Sequence, residues 1–229
     1  MNPPVINPAS ATRADALATN KVLRNTYILL SMTLLFSAVT AGVSMAMNLP
    51  HPGLLLTLAG YFGLLFATSR FRNSSVGLVL VFALTGFMGY TLGPILSTYL
   101  SMANGAEVVM TAMSGTGAIF LGLSGYALTT RKNFSFSKNF SFMGGFLMVG
   151  ILVAFLAGIA AAFLSVPGLS LAVSAMFILL MSGLILFETS NIIHGGETNY
   201  IMATVSLYVS IFNLFTSLLH LLGLMGGDE

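Results

Sequence analysis

The amino-acid sequence predicts an all-α integral membrane protein built as a bundle of seven transmembrane helices. Three observations predict it: 56% of the 229 residues are apolar and 6% are charged, the apolar residues form seven long runs, and the basic residues fall in alternate connecting segments. Because about a quarter of the residues of soluble domains carry charge, lipid must cover most of this surface. The composition therefore excludes a cytosolic or secreted enzyme.

Each apolar run is predicted to form one membrane-crossing helix. A helix rises about 1.5 Å per residue, so about 20 apolar residues cross a hydrocarbon core of about 30 Å. The runs are apolar on all sides, whereas the wall of a β-barrel alternates apolar and polar residues. Gly93 and Pro94 are predicted to stop or kink the third helix, and residues 95–102 to form a brief interfacial helix. The predicted spans are 27–47, 54–69, 76–92, 107–129, 142–164, 171–193 and 201–224.

Residues 1–24 form the one sizeable polar stretch of the sequence, with three prolines and no signal-peptide pattern. We predict an unfolded N-terminal tail there, followed by a transmembrane domain over residues 25–229. Every lysine and arginine lies in segments that face one side of a seven-span bundle: Arg13, Lys21, Arg24, Arg70, Arg72, Arg131, Lys132 and Lys138. The positive-inside rule then places the N-terminus in the cytoplasm and the C-terminus outside.

Small residues recur at four-residue spacing in three of the spans. Such rows let helix backbones approach closely, so we expect them to face neighbouring helices. The rows are Gly89 and Gly93 in the third span, Ser114, Ala118 and Gly122 in the fourth, and Ala154, Gly158 and Ala162 in the fifth.

Glu188 is an ionisable residue inside a predicted span, about five residues or roughly 8 Å from the cytoplasmic end of the sixth helix. An unpaired carboxylate is costly in the membrane, so we expect its side chain to face the bundle interior and to find a partner or take up a proton. A functional site is one interpretation. The other is a structural glutamate that reaches the interface and meets Arg70 or Arg72.

The seventh span carries a polar stripe, since its members are spaced so that they share one helix face. The stripe either lines a hydrated path or forms hydrogen bonds with neighbouring helices. For the last member we favour packing over a proton-responsive role. The stripe consists of Ser206, Ser210, Asn213, Ser217 and His220.

The turn between the sixth and seventh spans contains His194 and Glu197 close to Glu188 in sequence. Two acids and a histidine near one mouth suggest a cation site. The signal is weak, because hard cations such as calcium take six to eight oxygen ligands. With no cysteine in the chain, thiolate metal sites and iron–sulfur clusters are excluded, and we expect no resident cofactor. Nucleic-acid binding has no support.

An intramembrane serine hydrolase is the enzyme alternative, suggested by the tetrapeptide Gly122-Leu-Ser-Gly125. Ser124 should lie near the cytoplasmic end of its span and His220 near the outer end of its own, about 15 to 20 Å apart in depth. That separation exceeds a serine–histidine hydrogen bond. We therefore predict that the chain is not an enzyme.

The C-terminal third resembles the Bax inhibitor-1 family, most specifically in Phe187-Glu-Thr-Ser-Asn-Ile-Ile-His-Gly-Gly-Glu-Thr-Asn-Tyr-Ile and in Val205-Ser-Leu-Tyr-Val-Ser-Ile-Phe-Asn-Leu-Phe. Further agreement comes from Lys21-Val-Leu-Arg-Asn-Thr-Tyr, Gly93-Pro-Ile-Leu and Leu128-Thr-Thr-Arg-Lys. The resemblance implies a seven-helix fold whose central, last helix is enclosed by the other six. It also implies a bacterial inner-membrane location, so the outer side that the positive-inside rule gives the C-terminus is the periplasm.

The resemblance implies two functions. In the calcium-leak members of the family, carboxylates on helices six and seven sense pH and an arginine of helix two acts as a latch. Glu188 occupies the helix-six acid position and Arg70 or Arg72 the latch position, but Ser210 stands where the second acid would be. One bacterial branch of the family instead interacts with the membrane-anchored AAA+ protease FtsH and modulates its proteolysis. We expect modulation of an FtsH-type protease, with a pH-sensitive calcium leak as the alternative.

Overall fold

The computed structural model describes residues 8–130, 142–164 and 167–226, and these ranges contain seven α-helices and no strand. Six of the helices have the length and hydropathy to cross a membrane, and α2 is a shorter apolar helix of 17 residues. The all-helical membrane class is confirmed. The helices are α1 (Pro8–Ala46), α2 (Leu54–Arg70), α3 (Ser75–Leu100), α4 (Gly105–Thr130), α5 (Phe142–Leu164), α6 (Pro167–Ile193) and α7 (Tyr200–Met225).

Helix α1 begins at Pro8, well before the predicted start of the first span at residue 27. The expectation that residues 8–24 are unfolded is therefore wrong, while residues 1–7 lie outside the described part. Proline is favoured at the first position of a helix, where its missing N–H is not needed. Five alanines, the strongest helix formers, follow within the next ten residues. The membrane-span candidate within α1 is Leu17–Ala46.

Pro94 lies inside α3, which continues to Leu100, so of the two predicted effects the stop is wrong, and so is the separate helix over 95–102. A proline has no N–H to donate to the carbonyl four residues earlier, which here belongs to Tyr90. The Ser44 hydroxyl of α1 donates to that carbonyl at 3.0 Å. A side chain on a neighbouring helix thus supplies the lost hydrogen bond, and the helix continues through its proline.

The rows of small residues fulfil the packing prediction in α3 and α5 but not in α4. A Cβ atom at Gly89 or Gly93 would collide with α1, and Ala154 is fully buried with Gly158 beside Val173 of α6. In α4, by contrast, the predicted row is exposed, because the buried face carries Ala112, Thr116, Ser124 and Ala127 instead. Small residues occur on both faces of α4, so their spacing does not identify the packed one. The structure does not describe the side chain of Ala162.

Helix α7 packs against α1, α3, α4 and α6, while α2 packs on α3 and α5 on α6. Four helices rather than the expected six thus form its main contacts within the described part of the chain. Twelve of its residues are buried, from Ile201 near its start to Gly223 near its end. Because several helices surround α7, the polar side chains of its stripe face neighbouring helices.

The α2–α3 turn (residues 71–74) and the α6–α7 turn (residues 194–199) meet at one end of the bundle. Asn199 bonds to the α2–α3 turn, and residues 18–22 of α1 line a cavity together with the α6–α7 turn. Because Lys21, Arg24, Arg70 and Arg72 all lie there, we name it the basic end. Arg131, Lys132 and Lys138 lie outside the described residues.

Candidate functional site

Glu188 lies on α6 close to the basic end, and its side chain is partly buried against α7. The Ser206 hydroxyl of α7 donates a hydrogen bond to its carboxylate, and the Glu197 carboxylate repels it electrostatically. The first member of the polar stripe therefore meets the acid of α6. Two acids, Glu188 and Glu197, and the Ser206 hydroxyl thus interact near the α6–α7 interface, and we call these three residues the acidic group.

Arg70 and Arg72 do not join this group. Both arginines are exposed, Arg70 as the last residue of α2 and Arg72 in the turn that follows. Within the described residues no ion pair links either of them to Glu188, so the contact required by the structural interpretation of Glu188 is not formed. Their role as a latch stays a prediction.

The polar stripe of α7 faces α6 at both ends and bonds to its own helix in between. At the far end, the Ser174 hydroxyl of α6 lies 2.8 Å from His220 Nδ1, the packing arrangement that we favoured. Ser210 is fully buried and donates to the carbonyl of Ser206 at 2.9 Å. The Asn213 amide donates to the carbonyl of Val209 at 2.8 Å, and Ser217 is buried. Four members of the stripe, Ser206, Ser210, Asn213 and His220, thus form hydrogen bonds, while a hydrated path stays a prediction.

The α6–α7 turn is ordered by its own side chains. His194 Nδ1 donates to the Ser190 carbonyl at 2.8 Å, because a carbonyl can only accept. Gly195 has a φ of +73°, a left-handed conformation that favours glycine. The Glu197 carboxylate accepts the backbone N–H of Asn199 at 2.7 Å. The described chain holds no group of three or more histidines and acids that could bind a metal, and the predicted cation mouth stays a prediction.

A cavity of about 420 Å³ lies between this turn and α1. Its walls are Ala18, Thr19 and Val22 of α1 and His194, Gly195, Glu197 and Thr198 of the turn. Because α1 begins earlier than predicted, its residues line one side of the predicted cation site at His194 and Glu197. The sequence did not indicate this contribution.

Asn199 is a second residue that sequence reasoning missed. It is the N-cap of α7, and its Oδ1 accepts the backbone N–H groups of Ile201 and Met202, each at 3.0 Å. Its Nδ2 donates to the Arg72 carbonyl at 3.0 Å and to Asn73 Oδ1 at 2.8 Å. An asparagine directly before an apolar run is the signal of an N-cap. The bonds to the α2–α3 turn have no such local signal.

Tyr208 is the third missed residue, on the face of α7 opposite the stripe. It is 1% exposed, and its hydroxyl lies 2.7 Å from the Ser37 hydroxyl of α1 and 3.3 Å from the Thr85 carbonyl of α3. The phenol donates to the carbonyl, so Ser37 must donate to the phenol. One tyrosine thus joins three helices in the middle of the bundle.

The Ser124 hydroxyl of α4 lies 3.4 Å from the hydroxyl of Thr189 on α6, whereas His220 faces Ser174. The serine and histidine considered for hydrolysis therefore have different partners. Comparison with known proteins shows that a family model described as "Inhibitor of apoptosis-promoting Bax1" matches residues 19–227.

The chain belongs to the Bax inhibitor-1 family. The resemblance read from residues 187–215 is thereby confirmed. This family member is 56% identical over 220 residues to "Modulator of FtsH protease YccA" of Escherichia coli K12, a match that covers 96% of this chain and 97% of the relative. An E. coli O6:H1 relative of the same identity is named "Inner membrane protein YccA". An uncharacterized membrane protein of Vibrio cholerae is 45% identical over 230 residues and the full length of both chains.

We predict that Asn199→Ala lowers the free energy of unfolding by about 2 kcal/mol, because it removes the cap of α7 and the bonds to the α2–α3 turn. Asn199→Asp should cost about half as much, since it keeps the capping oxygen and the Asn73 amide can rotate to donate to it. Heating the detergent-solubilised protein measures the change, which should lower Tm by about 6 °C for alanine. Equal Tm values for all three proteins would contradict the role of Asn199.

Proposed function

We propose that this chain is an inner-membrane protein that binds an FtsH-type membrane protease and modulates its proteolysis. The observation that carries the proposal is the 56% identity, over 96% of this chain, to a relative named as a modulator of that protease. The match covers 97% of the relative, so no large part of the relative is missing from the comparison. Both the family description and the relative's name denote inhibition or modulation rather than catalysis.

The part of this chain best suited to meet the protease is the start of α1. Residues 8–16 continue the helix beyond its apolar span, which begins at Leu17. This segment projects from the basic end, next to the cavity lined by His194 and Glu197. A soluble protease domain at the membrane surface can reach such a segment, whereas it cannot reach residues covered by lipid.

We expect the full chain, solubilised from native membranes, to co-purify with the protease, and a variant lacking residues 2–16 to retain several-fold less of it. A matched control replaces residues 2–16 by a Gly/Ser linker of equal length, which keeps the distance from the membrane but removes the helix. The recovered protease is quantified by immunoblot. Absence of the protease from the full-chain sample would contradict the proposed function, and equal recovery with the linker would exclude recognition of the α1 extension.

We also propose that all seven helices cross the membrane, with the basic end in the cytoplasm and the C-terminus in the periplasm. Helix α2 has 17 residues, the lower limit for a span, and a length of about 25 Å. The segment before it carries no lysine or arginine, while Arg70 and Arg72 follow at its other end. This asymmetry is what the positive-inside rule requires of a crossing helix.

Cysteine labelling tests this topology, because the native chain contains no cysteine. In intact spheroplasts, a membrane-impermeant thiol reagent should label His51→Cys, before α2, and should not label Ser74→Cys, after α2. Inside-out vesicles should give the reverse result. Labelling of both variants from the same side would mean that α2 does not cross.

A proton-sensitive calcium leak is a second candidate function, favoured by the surroundings of Glu188. Its carboxylate is partly buried inside a candidate span and receives a hydrogen bond from Ser206 and repulsion from Glu197. Acids of this kind inside membrane spans are commonly functional. Because Ser210 replaces the second acid of the family's leak members, Glu188 would have to sense protons without a partner acid on α7.

Calcium flux into liposomes tests this candidate. The Glu188→Gln variant resembles the protonated acid at every pH, so its flux should no longer change with pH and should equal the acidic-pH flux of the native protein. Glu107→Gln, which removes an exposed acid at the start of α4, is the control and should keep the native pH profile. A native protein without proton-dependent flux would exclude the leak and leave the protease proposal unaffected.

A further inference from the structure

Two outward-facing arginines line a depression at the basic end. Arg70 and Arg72, together with Ser69 and Asn73, form the polar part of its wall, and Phe66 forms the apolar part. The depression has a volume of about 420 Å³ and is open to the surroundings. Both arginines are exposed, and the described part of the chain offers neither of them a carboxylate partner.

The turn that carries these arginines is held in one conformation by its neighbours. Asn199 binds the Arg72 carbonyl and the Asn73 side chain from α7. The Ser74 hydroxyl donates to the Phe71 carbonyl at 2.9 Å, and a Cβ atom at Gly77 would lie 2.6 Å from the same carbonyl. The backbone positions of the two cations are thus fixed before any ligand binds, which lowers the entropy cost of binding.

The chemistry of the depression suits a phosphate group. A guanidinium presents a planar fork of donors that binds phosphate oxygens in pairs. The Ser69 hydroxyl adds a donor, and the Asn73 amide nitrogen is available because its oxygen already binds Asn199. Asn73, the last residue of the wall, directly precedes Ser74, the N-cap of α3.

The surroundings of the depression indicate that this phosphate belongs to a lipid. Phe66 is 75% exposed and Phe62, one turn earlier, is 51% exposed, so the outer face of α2 leading to the arginines is apolar. An acyl chain can lie along this face while its headgroup reaches the arginines at the end of the helix. Juxtamembrane cations attract the anionic lipids of the cytoplasmic leaflet.

We propose that Arg70 and Arg72, with Ser69 and Asn73, form a binding site for the phosphate of an anionic phospholipid, whose acyl chain lies along Phe66 of α2. The site is distinct from the acidic group around Glu188 and does not depend on the proposed interaction with a protease.

Native mass spectrometry of the purified full chain tests the site. The protein in mild detergent is titrated with phosphatidylglycerol and, separately, with phosphatidylcholine of the same acyl chains. We expect the native protein to prefer phosphatidylglycerol, and the Arg70→Gln plus Arg72→Gln variant to bind it roughly 25-fold more weakly, because each arginine near a lipid surface contributes about fivefold. Arg70→Lys plus Arg72→Lys should bind with intermediate affinity, since it keeps the charge but loses the forks.

Lys21→Gln plus Arg24→Gln is the matched control, because it removes two exposed cations of α1 at the same end. This control should keep the native preference. An equal loss of phosphatidylglycerol affinity in both glutamine variants would show that net charge alone explains the binding, and would overturn the site. If inorganic phosphate binds by itself and displaces phosphatidylglycerol completely, the site binds free phosphate and the proposal of a lipid ligand is overturned. Elution of every variant as the native monodisperse peak in size-exclusion chromatography ensures that weaker binding does not reflect unfolding.

Discussion

The structure depends on the requirement that polar groups inside a membrane find their partners within the protein. Helix α7 meets this requirement through bonds to α3 and to the turns at both ends of α3. Asn199 joins its start to the turn before α3, Tyr208 joins its middle to the Thr85 carbonyl, and Asn104 of the turn after α3 donates to the Gly226 carbonyl at 3.0 Å. Helices α3 and α7 are thus tied at three levels along the bundle.

The side of α7 that faces α6 differs from the side that faces α3 in the chemistry of its contacts. There it meets α6 through Ser206 bound to Glu188 near the basic end and through His220 beside Ser174 near the other end. Both of these contacts contain an ionisable side chain, whereas the ties toward α3 use neutral amides, hydroxyls and carbonyls. The two contacts between α7 and α6 thus place Glu188 and His220 at the α6–α7 interface.

The sequence was sufficient for those features that depend on local pattern. All seven apolar runs are helices, and the acid of the sixth run packs against the stripe of the seventh, because hydrophobic length and helical spacing are properties of short segments. Pro94 was misjudged because its rescuing partner, Ser44, lies 46 residues before the freed Tyr90 carbonyl. The bonds from Asn199 to the α2–α3 turn span 126 residues or more, and no local pattern reports them. The exposure of Arg70 and Arg72 is likewise a property of the packed bundle.

Ser210 illustrates how one substitution changes what the site can do. It is fully buried, and its hydroxyl is satisfied by the Ser206 carbonyl of its own helix. An aspartate at this position would place a second buried carboxylate one turn from the residue that binds Glu188, and two such groups could remain only by sharing a proton. With serine, α7 carries no acid one turn from Ser206, and Arg70 and Arg72 are exposed. Serine at this position thus leaves Glu188 with a hydroxyl, that of Ser206, rather than a second acid as its partner on α7.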